Sequence, residues 1–115
     1  MNRTIELKHV KSKEPVHTLI DTLIDRLEEK LRHFPTDAVS LHVLFEENAS
    51  RRLYRTALTC HVPRHMIVTH EERRDPGASL REAFEEVERQ LVKRYAMMRK
   101  NHRRRPTRRS TEAET

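Results

Sequence analysis

The chain has 115 residues, 35% of them hydrophobic, and carries 24 Lys and Arg against 18 Asp and Glu, a net charge of +6. A single glycine excludes Gly-rich phosphate loops and dinucleotide fingerprints, which need several, and a single cysteine, Cys60, excludes a disulfide within the chain and fits a reducing compartment. No apolar run approaches the ~20 residues of a membrane span, and MNRTIELKHV at the start lacks the apolar centre of a signal peptide, so neither membrane insertion nor export is expected.

The length fits one domain. An apolar fraction below the usual ~45–50% predicts a thin core, one sheet covered by helices. Residues 4–10 alternate, with Ile5 and Leu7 facing one way, and predict a half-buried strand. Pro15 then suits the first position of a helix, with Ser12 or Glu14 near its cap. Val16, Leu19, Ile20, Leu23, Ile24, Leu27 and Leu31 recur at steps of three and four, and the helix is expected to end near Phe34-Pro35.

Residues 38–46 alternate through Val39, Leu41, Val43 and Phe45. After a polar turn, residues 52–62 alternate through Tyr54, Thr56, Leu58, Cys60 and Val62. Pro63-Arg64-His65 turns the chain into a fourth strand, 66–72. Short turns between these three strands predict an antiparallel meander. Asp75-Pro76 is a cap acid followed by proline at the first helical position. Leu80, Phe84, Val87, Leu91, Tyr95 and Met98 form the stripe of a second helix, expected to run to about Asn101. From His102 the sequence is polar and basic, and a disordered tail is expected over 102–115.

The predicted order is β-α-β-β-β-α, an α+β fold with a four-stranded sheet and two long helices on one face. A right-handed crossover makes the first strand parallel to the second if they are neighbours. The organisation is then an α+β domain over 1–101 and a basic tail over 102–115.

Catalytic constellations are weak. Cys60 and His61 are sequence neighbours on a strand, so they point to opposite faces and cannot pair as nucleophile and base. His61, His65 and His70 span a turn and two strands and match no tight metal-ligand spacing. Glu85, Glu86 and Glu88 suit helix-surface pairing with Arg81 and Arg89. No enzyme, metal, cofactor or small-molecule substrate is expected.

Charge is the stronger signal. Residues 1–50 hold seven basic and nine acidic residues, and residues 51–115 hold seventeen and nine. From Lys93 to Arg109 there are nine Lys or Arg and no acid. Arg89, Lys93, Lys100 and Arg104 share one helix face by spacing, with Arg99 and Arg103 beside them and Arg94 nearer the apolar stripe. Arg73 and Arg74 precede the second helix, whose N-terminal dipole attracts phosphate. Arg26, Lys30 and Arg32 end the first helix. An acid-free basic stretch of this kind is a phosphate-binding pattern. Aromatics are few and lie mostly on core stripes, so recognition through backbone phosphates and shape is expected instead of base stacking.

The element order, LEEKLRHF at the end of the first helix, and DPGASLREAFEEVERQL from Asp75 to Leu91 together resemble the ribosome hibernation-promoting factor / ribosome-associated translation inhibitor family, short form, over residues 4 to about 104. Asp75, Ala78, Leu80 and Arg89-Gln90-Leu91 match the family pattern. Pro76-Gly77 stands where the family often has Met-Tyr, and Glu85-Glu86 where it often has a basic residue. The resemblance implies a cytoplasmic protein that binds small-subunit rRNA of the 16S type across the mRNA and A/P-site tRNA region. It implies inhibition of translation by occupancy, in stationary phase or stress; nothing in the sequence requires a dimer, so a chain monomeric off the ribosome is expected. It places Lys30 and Arg89 on the RNA-facing surface, which Lys93, Arg99, Lys100, Arg103 and Arg104 extend by the charge argument. Two other readings stand beside it. One is a general structured-RNA-binding module, because the double-stranded RNA-binding fold is similar. The other is a small regulator that binds a protein.

Overall fold

The computed structural model of the chain describes residues 1–32 and 34–104, without side-chain detail for Tyr95 and residues 97–104. Its elements are β1 (Asn2–Lys8), α1 (Lys13–Lys30), a 3₁₀ turn (Thr36–Ala38), β2 (Ser40–Asn48), β3 (Leu53–Val62), β4 (His65–Arg73) and α2 (Pro76–Arg104). The strands lie in the order β1-β2-β3-β4. β1 is parallel to β2, with Asn2 opposite Ser40 and Lys8 opposite Glu46. The other two pairings are antiparallel. This is the expected α+β arrangement, including the parallel first pair.

Where boundaries differ from expectation, local chemistry explains the shift. α1 starts at Lys13, two residues ahead of Pro15. Proline is still tolerated there because the first-turn N–H groups have no partner inside the helix. α1 stops at Lys30, and Leu31 closes it with its N–H on the Leu27 and Glu28 carbonyls. Pro35 restricts the residue before it to extended backbone, which ends the helical run early. The first strand lies two residues earlier than its alternation suggested, because His9, at φ 58, breaks the extended chain. The 3₁₀ turn carries no periodic signal and was not expected.

Alternation sorts the sheet into two faces. Val39, Leu41, Val43, Phe45, Leu58, Cys60, Val62 and Ile67 are buried with Ile20, Leu23, Ile24, Leu27 and Leu31 of the α1 region and with Leu80, Ala83, Phe84, Val87 and Leu91 of α2. Phe45 stacks on Tyr54 with ring centroids 6.0 Å apart. Both helices therefore cover the same face. Their connections start them at the end of the sheet holding Lys8 and Arg73 and run them toward the end holding Asn2 and Val62. The other face is bare. Across it Lys8, Glu46, Arg55 and Glu72 are aligned by register, an alternating-charge row whose neighbours attract.

Two polar contacts fix α2 on the sheet. The buried Ser79 hydroxyl donates to the Glu71 carbonyl at 3.1 Å and lies 2.8 Å from the Thr56 hydroxyl. Serine has one hydroxyl proton, so Thr56 is the donor to Ser79. Thr69 donates to the Ala83 carbonyl at 3.3 Å. Asp75 caps the helix, accepting from the Ala78 N–H at 2.8 Å, as Asp-Pro predicts. Among the described residues, no helix is long and apolar enough to cross a membrane.

Candidate nucleic-acid interface

α2 is the longest element, running from Pro76 to Arg104. Leu91 is its last buried described residue, and Val92, Lys93, Arg94 and Ala96 are all exposed. The backbone stays helical to Arg104. At 1.5 Å per residue, the thirteen positions after Leu91 extend about 20 Å along the helix axis. The sequence of this arm has no acid. The helix runs three residues past its expected end, and the remainder of the expected tail, 105–115, lies outside the described residues.

Glu86, Arg89, Gln90, Lys93 and Arg94 line one surface hollow. Their spacing of three and four places them on a single face of α2. Arg94, expected nearer the apolar stripe, faces solvent with the others. Arg89 donates from Nε to Glu86 at 3.0 Å, and Gln90 donates to the other oxygen of Glu86, also at 3.0 Å. The Arg89 hydrogen bond, helped by Gln90, holds the Glu86 carboxyl below its ordinary range, and the same contact raises Arg89. Glu86 is therefore an ionised partner that an approaching phosphate must displace.

The other predicted basic residues divide in the same way. Lys30 ends α1, and its Nζ lies 4.0 Å from Glu88 on α2. This contact brings the two helix surfaces together as expected. Arg73 is the most committed. It bonds to Glu82 and to Glu71, the latter at 2.8 Å, and also donates to the Glu72 carbonyl. Its hydrogen bond to Glu82 is the main cause that raises its pKa. Arg74 and Lys93 are exposed and form no ion pair among the described residues. Arg99, Lys100, Arg103 and Arg104 lie on the α2 backbone, and their side chains are outside the described detail.

The pairing of Glu86 with Arg89 follows the expected helix-surface pattern, but other acid partners carry no such signal: Glu82 and Glu88 reach bases on other elements, and Glu71 meets Arg73 two residues along β4. Only Glu86–Arg89 follows an i, i+3 rule.

Register separates the histidines. His61 and His70 share the bare face, while His65 has the opposite parity. Among the described residues, no cluster of His, Cys, Asp or Glu could hold a metal ion. Cys60 is fully buried, and burial pushes its thiol up to about 11, away from the thiolate a nucleophile needs.

The protein family described as sigma 54 modulation protein / S30EA ribosomal protein matches residues 4–99. Two solved structures share the fold. A ribosomal subunit interface protein from Coxiella burnetii is 20% identical, with a TM-score of 0.62, covering 84% of this chain and 99% of that one. The N-terminal domain of Protein Y from Thermus thermophilus is 18% identical, with a TM-score of 0.65, covering 83% of this chain and 99% of that one. At such identities the likeness establishes the fold alone. No curated protein matches by sequence.

Proposed function

The chain belongs to the sigma 54 modulation protein / S30EA ribosomal protein family, and from that membership we propose that it is a hibernation-type factor that binds the small ribosomal subunit through rRNA phosphates. It occupies the mRNA and A/P-site tRNA region and blocks translation by occupancy, without chemistry. It acts in the cytoplasm as a monomer, under conditions that idle ribosomes.

The observation that carries this reading is the acid-free end of α2. Lys93 and Arg94 are exposed on a helix that continues past Leu91, its last buried residue among those described. Arg99, Lys100, Arg103 and Arg104 follow in the same helix. A projecting helix can enter a channel between RNA segments where a compact domain cannot. Each neutralised phosphate releases counterions, so binding should be strong at low salt and weaken steeply as salt rises.

The test is co-sedimentation of the chain with purified small subunits across a salt series, with mRNA and tRNA as competitors. The chain is expected to travel with the subunits, to be displaced by the competitors, and to lose binding when Lys93, Arg99 and Lys100 are all changed to Glu. Binding to any RNA duplex equally well, with no retention on subunits at moderate salt, would instead identify a general structured-RNA module. Unchanged binding by the triple variant would point to a protein partner.

A further inference from the structure

A second basic cluster lies at the opposite end of α2 from the arm. The turn between β2 and β3 presents Arg51 and Arg52, both exposed. It is well built. The Arg51 N–H reaches the Asn48 carbonyl at 3.2 Å and the Asn48 side-chain oxygen at 3.3 Å. The Arg52 N–H reaches the Ala49 carbonyl at 3.3 Å, and the Ser50 hydroxyl donates to the Asn48 side chain at 2.9 Å. Arg52 takes a left-handed φ of 54, a conformation that favours glycine.

The sheet register brings a third arginine to the same end of the sheet. β3 and β4 pair as far as Tyr54 with Arg73, and Arg74 follows in the bend between β4 and α2, while Arg51 and Arg52 stand in the turn just before Leu53, where β3 begins. Arg51, Arg52 and Arg74 therefore lie at one corner of the sheet, in a turn and in the β4–α2 junction. None of the three forms an ion pair among the described residues. Of the acids nearest Arg74, Asp75 caps α2, Glu71 and Glu82 hold Arg73, and Glu72 stands opposite Arg55 in the sheet. The sequence reading included Arg74 but passed over Arg51 and Arg52.

Pro76 and Lys93 are separated by about 26 Å of helix at 1.5 Å per residue. Glu82, Glu85, Glu86 and Glu88 lie between them. A single phosphate chain laid along α2 would have to pass these carboxylates, which repel it. We propose that Arg51, Arg52 and Arg74 form a second phosphate-contacting surface, so that the protein clamps two separate RNA segments, one at this corner and one along the arm. Two linked contacts raise the overall affinity above that of either, because the second engagement is intramolecular.

The proposal rests on RNA being the ligand, and its test separates it from the ribosomal reading. Three full-length proteins are compared: the unchanged chain, Arg51→Gln/Arg52→Gln/Arg74→Gln, and Lys93→Gln/Arg94→Gln. Each is titrated with purified small subunits and with a short RNA duplex over a range of salt. The corner variant is expected to lose about tenfold in affinity and to flatten the log–log salt slope by about 2, since each lost phosphate contact removes somewhat under one unit. Combining both sets of changes should add the two slope losses.

Equal affinity and slope for the corner variant on a ligand the unchanged chain binds would overturn the proposal while leaving the ribosomal reading in place. If the unchanged chain binds duplex but not subunits, the ribosomal reading falls and the corner is judged on the duplex. If it binds neither, both fall. Thermal melts confirm folding. Should the triple variant melt early, Arg51→Gln/Arg52→Gly replaces it, because glycine suits the left-handed position.

Discussion

The two halves of α2 continue one apolar stripe but carry opposite charge balances and work under different constraints. From Pro76 to Leu91 the stripe is buried, and three basic residues at or beside it are matched by acids: Arg73 by Glu71 and Glu82, Arg89 by Glu86, and Lys30 by Glu88; Arg74 and Arg81 form no ion pair among the described residues. From Val92 onward the described side chains are exposed, and the sequence offers no acid before Arg104. By sequence the first half holds two Arg against four Glu, and the second six Lys or Arg and no acid. What separates them is whether a positive charge already has a partner. The first half pairs most of its positive charge internally, and the second presents Lys93 and Arg94 to solvent.

The sharpest way to break this contrast is to attack the anchored half. Phe84 is fully buried between helix and sheet. Phe84→Ala should cost about 3–5 kcal/mol of stability through lost transfer energy and a residual cavity. Val92→Ala, at a position 61% exposed, should change stability by less than about 0.5 kcal/mol. Urea denaturation of both variants reads the difference. Comparable losses would mean that the arm is also packed, and the division at Leu91 would fail.

Burial of the core also predicts a pH dependence. Cys60 has its folded pKa raised by burial to about 11, against an ordinary value of 9.0. The unfolded thiol ionises first, so between these values the native state holds a proton that the unfolded state has lost. Its contribution is complete below pH 9 and is lost as pH rises toward 11, by about 2–3 kcal/mol in all. Cys60→Ala should flatten this part of the stability–pH curve relative to the unchanged chain. An identical decline in both proteins would assign it to other groups. A smaller loss, about 1–3 kcal/mol, is expected for Ser79→Ala in urea denaturation. It leaves the Thr56 hydroxyl and the Glu71 carbonyl without their buried partner; a loss within error would mean that water replaces the serine.

Much of this fold could be read before the structure. Val39, Leu41, Val43 and Phe45 alternate, and Ile20, Leu23, Ile24 and Leu27 step by three and four. Burial of one face demands such periods, so element types, strand order and the parallel first pair followed. Ends were less legible, because His9 stops β1 through its own backbone angle and Pro35 stops α1 from a distance. The basic arm was legible as composition. The pairing of Arg73 with Glu82 and of Lys30 with Glu88 was not, because these contacts depend on how elements pack and not on spacing within one element. The same holds for Arg51 and Arg52, which share one end of the sheet with Arg74 only through the pairing of β3 with β4.

The contrast between the two halves can be narrowed at one carboxylate. Glu86 accepts from both Arg89 and Gln90, and Arg89 holds it below its ordinary range. It therefore stays ionised further into acid than an ordinary glutamate. Glu86→Gln removes the charge and keeps a carbonyl oxygen that can still accept from Arg89, so the local geometry has little reason to change. Arg89 then resembles Lys93, a cation on the same face with no carboxylate bound to it. Affinity for small subunits should rise about threefold and the salt slope should steepen by about one unit, the signature of one more phosphate contact. An unchanged slope would mean that Arg89 never meets RNA and that its role ends with Glu86, which would place the start of the RNA-facing surface at Lys93.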